Sequence, residues 1–187
     1  RKVGHAYHQY YVKEFAGINP ESGYPQYYIN DPDNPGDRSI TEDQNKANYI
    51  MYKSPDPKIS GGWSNSLRYK WFDLNFRFTY TLGGYSYDNG ASKVEHAGKS
   101  EKGTIQTLYR DRWKQPGDVT NVEMFMVGNP YSMASVVNSR RIHSTDHLRL
   151  KSLTFGISLP KQMVKKAYLD NVRFFFSGSN LLTWAAG

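Results

Sequence analysis

From Phe72 to Leu82 apolar side chains hold every even position, Phe72, Leu74, Phe76, Phe78, Tyr80 and Leu82, and Asp73, Asn75, Arg77, Thr79 and Thr81 hold the odd ones. A period of two marks a strand with one apolar and one polar face. Just upstream, Ile59, Gly61, Trp63, Asn65, Leu67 and Tyr69 alternate with Ser60, Gly62, Ser64, Ser66, Arg68 and Lys70, and the phase reverses at Lys70–Trp71. That reversal predicts a hairpin with a very short turn. Each limb is about ten residues long, the length a tilted strand needs to cross a bilayer.

A second hairpin is predicted near the C-terminus. Leu153, Phe155, Ile157 and Leu159 alternate with Thr154, Gly156 and Ser158, and beyond a turn from Pro160 to Asn171 the residues Val172, Phe174 and Phe176 oppose Arg173, Ser177 and Ser179. Leu148 and Leu150 are apolar at even positions, whereas Leu153 to Leu159 are apolar at odd ones. The phase slips at Lys151–Ser152, which predicts a β-bulge there, or else an upper section that leaves the bilayer and changes which face is buried.

The same alternation suits a soluble sandwich and a membrane barrel, so the connections carry the distinction. About sixty residues separate Leu82 from His147, a length compact soluble domains rarely leave as a connection. The turns at Lys70 and after Pro160 are short, and outer-membrane barrels alternate short turns with long extracellular loops in this way. Within the long connection, Gly103 to Trp113 reads as a short helix ended by Gln115-Pro116-Gly117, and Met124, Phe125, Met126, Tyr131 and Met133 as a loop packed on its own side chains, with contact to a ligand or partner protein as the alternative. Residues 1–30 read as an irregular β-ribbon: Tyr7 to Phe15, a turn at Asn19-Pro20-Glu21-Ser22-Gly23, then Tyr24 to Ile29.

Composition removes several classes. No apolar run approaches the roughly 18 residues of a spanning helix. The 187 residues include 15 Tyr, 9 Phe and 4 Trp but no Cys, which suits β-proteins, including barrels with aromatic girdles, and excludes disulfides and thiolate metal sites. The net charge of +7 is scattered along strands and turns without a nucleic-acid-binding module, so no nucleic-acid partner is expected. No phosphate loop, nucleophile elbow or zinc-protease motif is present, and no enzyme activity or cofactor is expected. Asp73 and Arg77 share a strand face, a pairing read as tuning a lumen or supporting register. Asp31, Asp33, Gly36 and Glu42 match positions 1, 3, 6 and 12 of a calcium loop, but Pro35 stands at position 5. A solvated turn is the default there, with Asp31, Asp33 and Glu42 as the weak calcium candidate. His5 and His8 are not expected to form a metal pair.

Four blocks resemble the C-terminal region of SusC/RagA-type TonB-linked outer-membrane transporters of Bacteroidetes. They are Gly61-Gly62-Trp63-Ser64-Asn65-Ser66-Leu67-Arg68-Tyr69-Lys70-Trp71-Phe72-Asp73-Leu74, Asp111-Arg112-Trp113, His147 through Pro160, and Ser177-Gly178-Ser179-Asn180-Leu181-Leu182-Thr183. The acidic turn Asp31–Asp37 departs from the D-x-N-G-D-G segment common in that family. The resemblance implies an all-β, antiparallel transmembrane barrel, plugged and of roughly 22 strands, of which residues 1–187 hold only C-terminal strands and long extracellular loops. The plug, the TonB box and most strands are expected upstream of Arg1, and a closing strand beyond Gly187. The implied role is TonB-dependent uptake of glycans or peptides at the bacterial outer membrane, with a SusD-like surface lipoprotein as lid. Outer-membrane lipid would face Leu153 to Leu159 and Val172 to Phe176, and Asp73, Asn75, Arg77 and Arg173 would face the lumen. Tyr85, Tyr87, Trp113 and Tyr131 are the candidates for substrate or partner contact. The alternative reading is a soluble all-β surface module that binds glycan through exposed aromatics.

Overall fold

The computed structural model describes residues 3–100, 107–166 and 168–186. In chain order the strands are β1 (Tyr11–Lys13), β2 (Phe15–Ile18), β3 (Pro25–Tyr28), β4 (Ile40–Thr41), β5 (Tyr49–Met51), β6 (Ile59–Tyr69), β7 (Phe72–Leu82), β8 (Tyr85–Tyr87), β9 (Ile142–Ser144), β10 (His147–Ser158) and β11 (Arg173–Ala185). Among the described residues helix is confined to short pieces, α1 (Ala91–Val94), α2 (Lys161–Lys165) and three 3₁₀ turns. Among the described residues every pairing between these strands is antiparallel, with one isolated parallel bridge from Lys13 to Asn138, so the class is all-β as expected. Two units separate by contact, Asp56–Gly84 with Ser144–Gly187, and Arg1–Pro55 with Tyr85–His143.

The first of these units is a four-stranded sheet in the order β11-β10-β7-β6. Both predicted hairpins are present. Lys70 takes a positive φ of 52° to close the two-residue turn between β6 and β7, while the connection from β10 to β11 contains α2, a single helical turn begun after Pro160. The predicted bulge is also found. Leu150 faces Phe78 and Ser152 faces Arg77, so Lys151 has no opposite number on β7. On the other side Leu150 faces Leu182 and Ser152 faces Ser179, so Asn180 and Leu181 absorb the slip. Asn180 does so at φ 52°, its Oδ1 accepting from Lys151 Nζ at 3.1 Å, and Leu181 folds over Gly178, where a Cβ would meet it at 2.7 Å. The bulge returns Leu148 and Leu150 to the face that carries Phe155 and Ile157.

That apolar face is uncovered. Trp63 is 56% exposed, Leu67 52%, Phe174 64% and Phe176 61%, and Leu150 and Val164 are the buried apolar side chains among the described residues of this unit. Each large apolar side chain left in water forgoes roughly 1.5–3 kcal/mol of burial. A contiguous row of them is a surface built for contact with something apolar.

The second unit differs from the expected loop. Residues 85–143 do not pack only on themselves; they join the amino-terminal ribbon in one body. The Phe15 amide donates to Ser139 Oγ at 3.0 Å, the Lys13 amide to the Val137 carbonyl at 3.0 Å, and Trp113 Nε1 to the Pro20 carbonyl at 2.7 Å. The ribbon itself forms β1, β2 and β3, with Gly23 at φ 74° closing the turn predicted from Asn19 to Gly23. Its core mixes Val12, Tyr27, Ala97 and Met133 with buried Glu123, Asn129, Ser132 and Asn138. The expected Gly103–Trp113 helix is a 3₁₀ turn over Thr107–Asp111, and its start lies outside the described residues.

Candidate functional site

The polar face of the four-stranded sheet is assembled across strands. β7 contributes Asp73, Asn75 and Arg77; in register beside them stand Arg68, Ser66 and Ser64 of β6, then Gly156, Thr154 and Ser152 of β10. The guanidinium of Arg173 on β11 reaches over β10 to Asp73, with Nε to Oδ1 at 3.2 Å and Nη2 to Oδ2 at 2.6 Å. This corrects the expected pairing of Asp73 with Arg77. Arg77 instead lines a shallow cavity of about 310 Å³ with Ser64, Ser66, Asn75 and Ser152. The bridge is possible because the residue beneath it is glycine. A Cβ on Gly156 would lie 2.5 Å from Arg173 Nη2 and 2.6 Å from Asp73 Oδ1.

Further hydrogen bonds run along the same face. Ser66 Oγ donates to Asn75 Oδ1 at 2.5 Å, the Thr154 and Ser177 hydroxyls pair at 3.0 Å, and Arg149 Nε donates to Thr183 Oγ1 at 3.2 Å. The face is not wholly polar. Phe175, whose position in the alternation places it here beside Gly156, is exposed and lies 5.3 Å from the Arg173 guanidinium. Asp73, Asn75, Arg77 and Arg173 stand on this one face of the sheet.

The aromatic candidates fall into two groups in the loop-built unit. Tyr85 and Tyr87 gather around Tyr10, whose hydroxyl donates to the Tyr85 carbonyl at 3.3 Å and accepts from the Tyr87 amide at 3.2 Å. Trp113 and Tyr131 gather around Gly23 and Tyr24. The Trp113 ring crosses the face of Gly23, which leaves no room for a Cβ, and Tyr131 packs on Tyr24 with centroids 4.5 Å apart. Tyr131 is exposed and the other three are half-buried.

Glu123 carried no sequence signal, lying in the aperiodic stretch Asp118 to Met126, yet it is the fully buried hub of this unit. Its carboxylate accepts from the Met133 amide at 3.0 and 3.2 Å, from Tyr109 Oη at 3.4 Å and from Ser132 Oγ at 3.4 Å. Burial pushes its pKa up to about 7, against the opposing pull of the Met133 amide and of Arg140 and Arg141. The same burial raises Tyr27 and Tyr109.

Asp31, Asp33 and Glu42 are not gathered. The Asp31 carboxylate accepts from the Asp33 amide at 3.0 Å in a local turn, while Glu42 accepts from Asn19 and Ser22. Among the described residues no three His, Cys, Asp or Glu side chains come together as a metal site.

No family model matches the chain. It is 28% identical over 190 residues, 98% of its length, to TonB-dependent receptor P3 of Formosa agariphila, and 25% identical over 153 residues to TonB-dependent receptor P26 of the same organism. It spans 18% and 15% of those relatives. Solved structures of the RagAB peptide transporter superpose over 95% of the chain, one with TM-score 0.75 at 23% identity, and one in a closed-closed state with TM-score 0.76 at 22% identity. The chain covers 19% of each. The relatives bear out the resemblance read from the sequence blocks, and the superposition shows the shared fold.

Proposed function

We propose that residues 1–187 are the carboxy-terminal part of a TonB-dependent outer-membrane transporter. In this reading β6, β7, β10 and β11 form a stretch of barrel wall, and the unit built from residues 1–55 and 85–143 consists of extracellular loops. The uncovered apolar face, set against a polar face knitted by hydrogen bonds and the Asp73–Arg173 pair, carries the reading. A soluble sandwich closes a second layer over such a face, whereas in a barrel lipid covers it and the polar side lines the lumen. The alternative, a soluble module that binds glycan through exposed aromatics, accounts for the rings of this face but not for the aliphatic side chains of Ile59, Leu67, Leu82 and Leu182 exposed on it. Four strands do not close a barrel, so further strands of the same polypeptide would extend the sheet at β6 and β11; relatives more than five times as long support this.

The cargo on this reading is a glycan or peptide, taken up with a SusD-like lipoprotein over the loops and with TonB acting on a segment outside these residues. The RagAB structures support a peptide, and the receptor names of the relatives support import over catalysis. Asp73, Asn75, Arg77 and Arg173 would then face the lumen, and Tyr131, the exposed member of its group, is the best placed of the four aromatics to meet cargo or lid.

Fractionation of cells expressing the full-length protein tests the reading. The protein is expected in the outer membrane, with the heat-modifiable gel mobility of a barrel. Recovery in the soluble fraction without detergent would overturn it.

A further inference from the structure

Both long hairpins turn at the same end of the four-stranded sheet. Tyr69 faces Phe72 where β6 meets β7, Phe72 faces Ile157, and Ile157 faces Phe174. Beyond them the Ser158 amide donates to the Trp71 carbonyl at 2.8 Å and the Leu159 amide to the Val172 carbonyl at 2.9 Å. The two connections at this end, 70–71 and 159–172, hold four lysines, Lys70, Lys161, Lys165 and Lys166, against one carboxylate, Asp170, a net charge of +3. All four lysines are exposed, and among the described residues none meets a carboxylate within ion-pair distance. Asp73, one row into the sheet, is held by Arg173.

Large apolar side chains stand among these lysines. Tyr69, Trp71, Met163 and Leu169 are exposed, and Tyr168 is 99% exposed. Val164 is the buried side chain of α2, and the turn after that helix is closed by the Tyr168 amide on the Lys165 carbonyl and the Leu169 amide on the Val164 carbonyl, both at 3.1 Å. Tyr168 closes it at φ 58°, in the left-handed region that favours glycine or asparagine. A tyrosine is a poor choice for that backbone, and its ring gains nothing from packing within this unit. Its placement makes sense for a contact outside the chain.

The apolar face of the sheet runs down to this end. Phe72 and Phe155 stack with centroids 6.0 Å apart and planes 22° apart, and Phe174 stands exposed beside Ile157. Rings and lysines gathered where an uncovered apolar face stops are the arrangement of a bilayer boundary. The rings sit at headgroup level, and each lysine lays its aliphatic stem along apolar surface while its ammonium reaches the phosphates.

We propose that this end of the sheet is a docking surface for anionic phospholipid headgroups, with Lys70, Lys161, Lys165 and Lys166 on the phosphates and Trp71 and Tyr168 seated beside them. A zwitterionic headgroup carries its own cation and gains little from the lysines, whereas phosphatidylglycerol has a net negative charge and gains from each of them. The inference rests on the barrel-wall reading above and adds two things to it. It sets the short connections at the phospholipid leaflet that faces the periplasm, and it gives the wall a lipid preference that an apolar face alone does not supply.

The test uses purified full-length protein in a non-ionic detergent, its folded state checked by heat-modifiable mobility. Phosphatidylglycerol, phosphatidylcholine of the same acyl chains and lipid A are titrated in, and bound lipid is counted by native mass spectrometry. Phosphatidylglycerol is expected to bind roughly tenfold more tightly than phosphatidylcholine, and the preference should shrink as salt is raised. These two comparisons on the parent protein require no variant to fold. Replacing the four lysines together by Gln should bring the preference within about twofold, and replacing them by Arg should keep it. Lys46→Gln, Lys93→Gln and Lys114→Gln combined, all exposed positions of the loop-built unit, should leave it unchanged. The proposal is overturned if the parent shows no preference, if the four-Gln variant retains it, or if lipid A binds through these lysines more tightly than phosphatidylglycerol, which would turn this end toward the outer leaflet. A protein that reaches the outer membrane without any phosphatidylglycerol preference would leave the transport reading standing and remove this one. Lysine-dependent binding of a soluble protein to vesicles containing phosphatidylglycerol would keep the surface and remove the wall.

Discussion

Asp73 and Arg173 stand 100 residues apart in sequence and are joined by two hydrogen bonds that cross an intervening strand above Gly156. The pair ties β7 to β11 although neither strand is the other's neighbour in the sheet.

Gly156 is therefore the position where added bulk does most harm on this face. Gly156→Leu drives a side chain into the space held by both charged groups and separates them. Arg173→Ala removes the bridge but leaves every ladder hydrogen bond, and an ion pair this open to water contributes little by itself. The folded, heat-modifiable fraction of the full-length protein should fall sharply for Gly156→Leu and only slightly for Arg173→Ala. Equal losses would mean that the ion pair, and not the space around it, holds the strands.

The bulge supplies a backbone prediction. Asn180 adopts a left-handed conformation that a β-branched residue enters only at a cost of roughly 1–2 kcal/mol. Asn180→Gly should keep the folded fraction near the parent while losing the contact from Lys151 Nζ, and Asn180→Val should lower it. Comparing the two in urea at equal protein concentration separates backbone strain from the lost side-chain bond.

The two faces were legible in the sequence to different depths. Period-two alternation is a local property of the chain, so both long hairpins, the short turn at Lys70 and the phase slip at Lys151 were readable from residue types alone. Which charges meet is not local. Asp73 has Arg77 two places along its own strand face, but its partner was decided by the order of strands and the absence of a Cβ at Gly156, neither of which alternation encodes. The loop-built unit was least legible because Glu123 and its partners Tyr109, Ser132 and Met133 come from aperiodic parts of the long connection that meet only when it folds back on itself.

Glu123 gives that unit a pH dependence with a definite sign. Its folded pKa of about 7 lies above its ordinary value of 4.5, so between those values the folded state holds a proton that the unfolded state has released. Stability drawn from this group is complete below about pH 4.5 and is lost as pH rises through 7, by at most about 3 kcal/mol. Glu123→Gln keeps an acceptor for the Met133 amide and abolishes the titration. Hydrogen exchange at the Met133 amide, corrected for intrinsic rates, should report weaker protection at pH 7.5 than at pH 5.5 in the parent and no such difference in Glu123→Gln. Protection that rises with pH in the parent would contradict the assignment.

Opposite faces of β11 should respond oppositely to charge. Phe176 stands beside Phe155 on the apolar face and Ser177 beside Thr154 on the polar one, one residue apart and at nearly the same height. An arginine among lipid-facing positions of a barrel costs roughly 2–4 kcal/mol near the bilayer midplane, whereas a lumen position tolerates it. Phe176→Arg should therefore deplete the protein from the outer membrane, and Ser177→Arg should leave its level near that of the parent. The comparison is clean because both substitutions add the same side chain to the same strand. If both variants accumulated normally, the apolar face would not be lipid-facing; if both were lost, the strand would be buried on two sides, and the wall assigned to β6, β7, β10 and β11 would have to be redrawn.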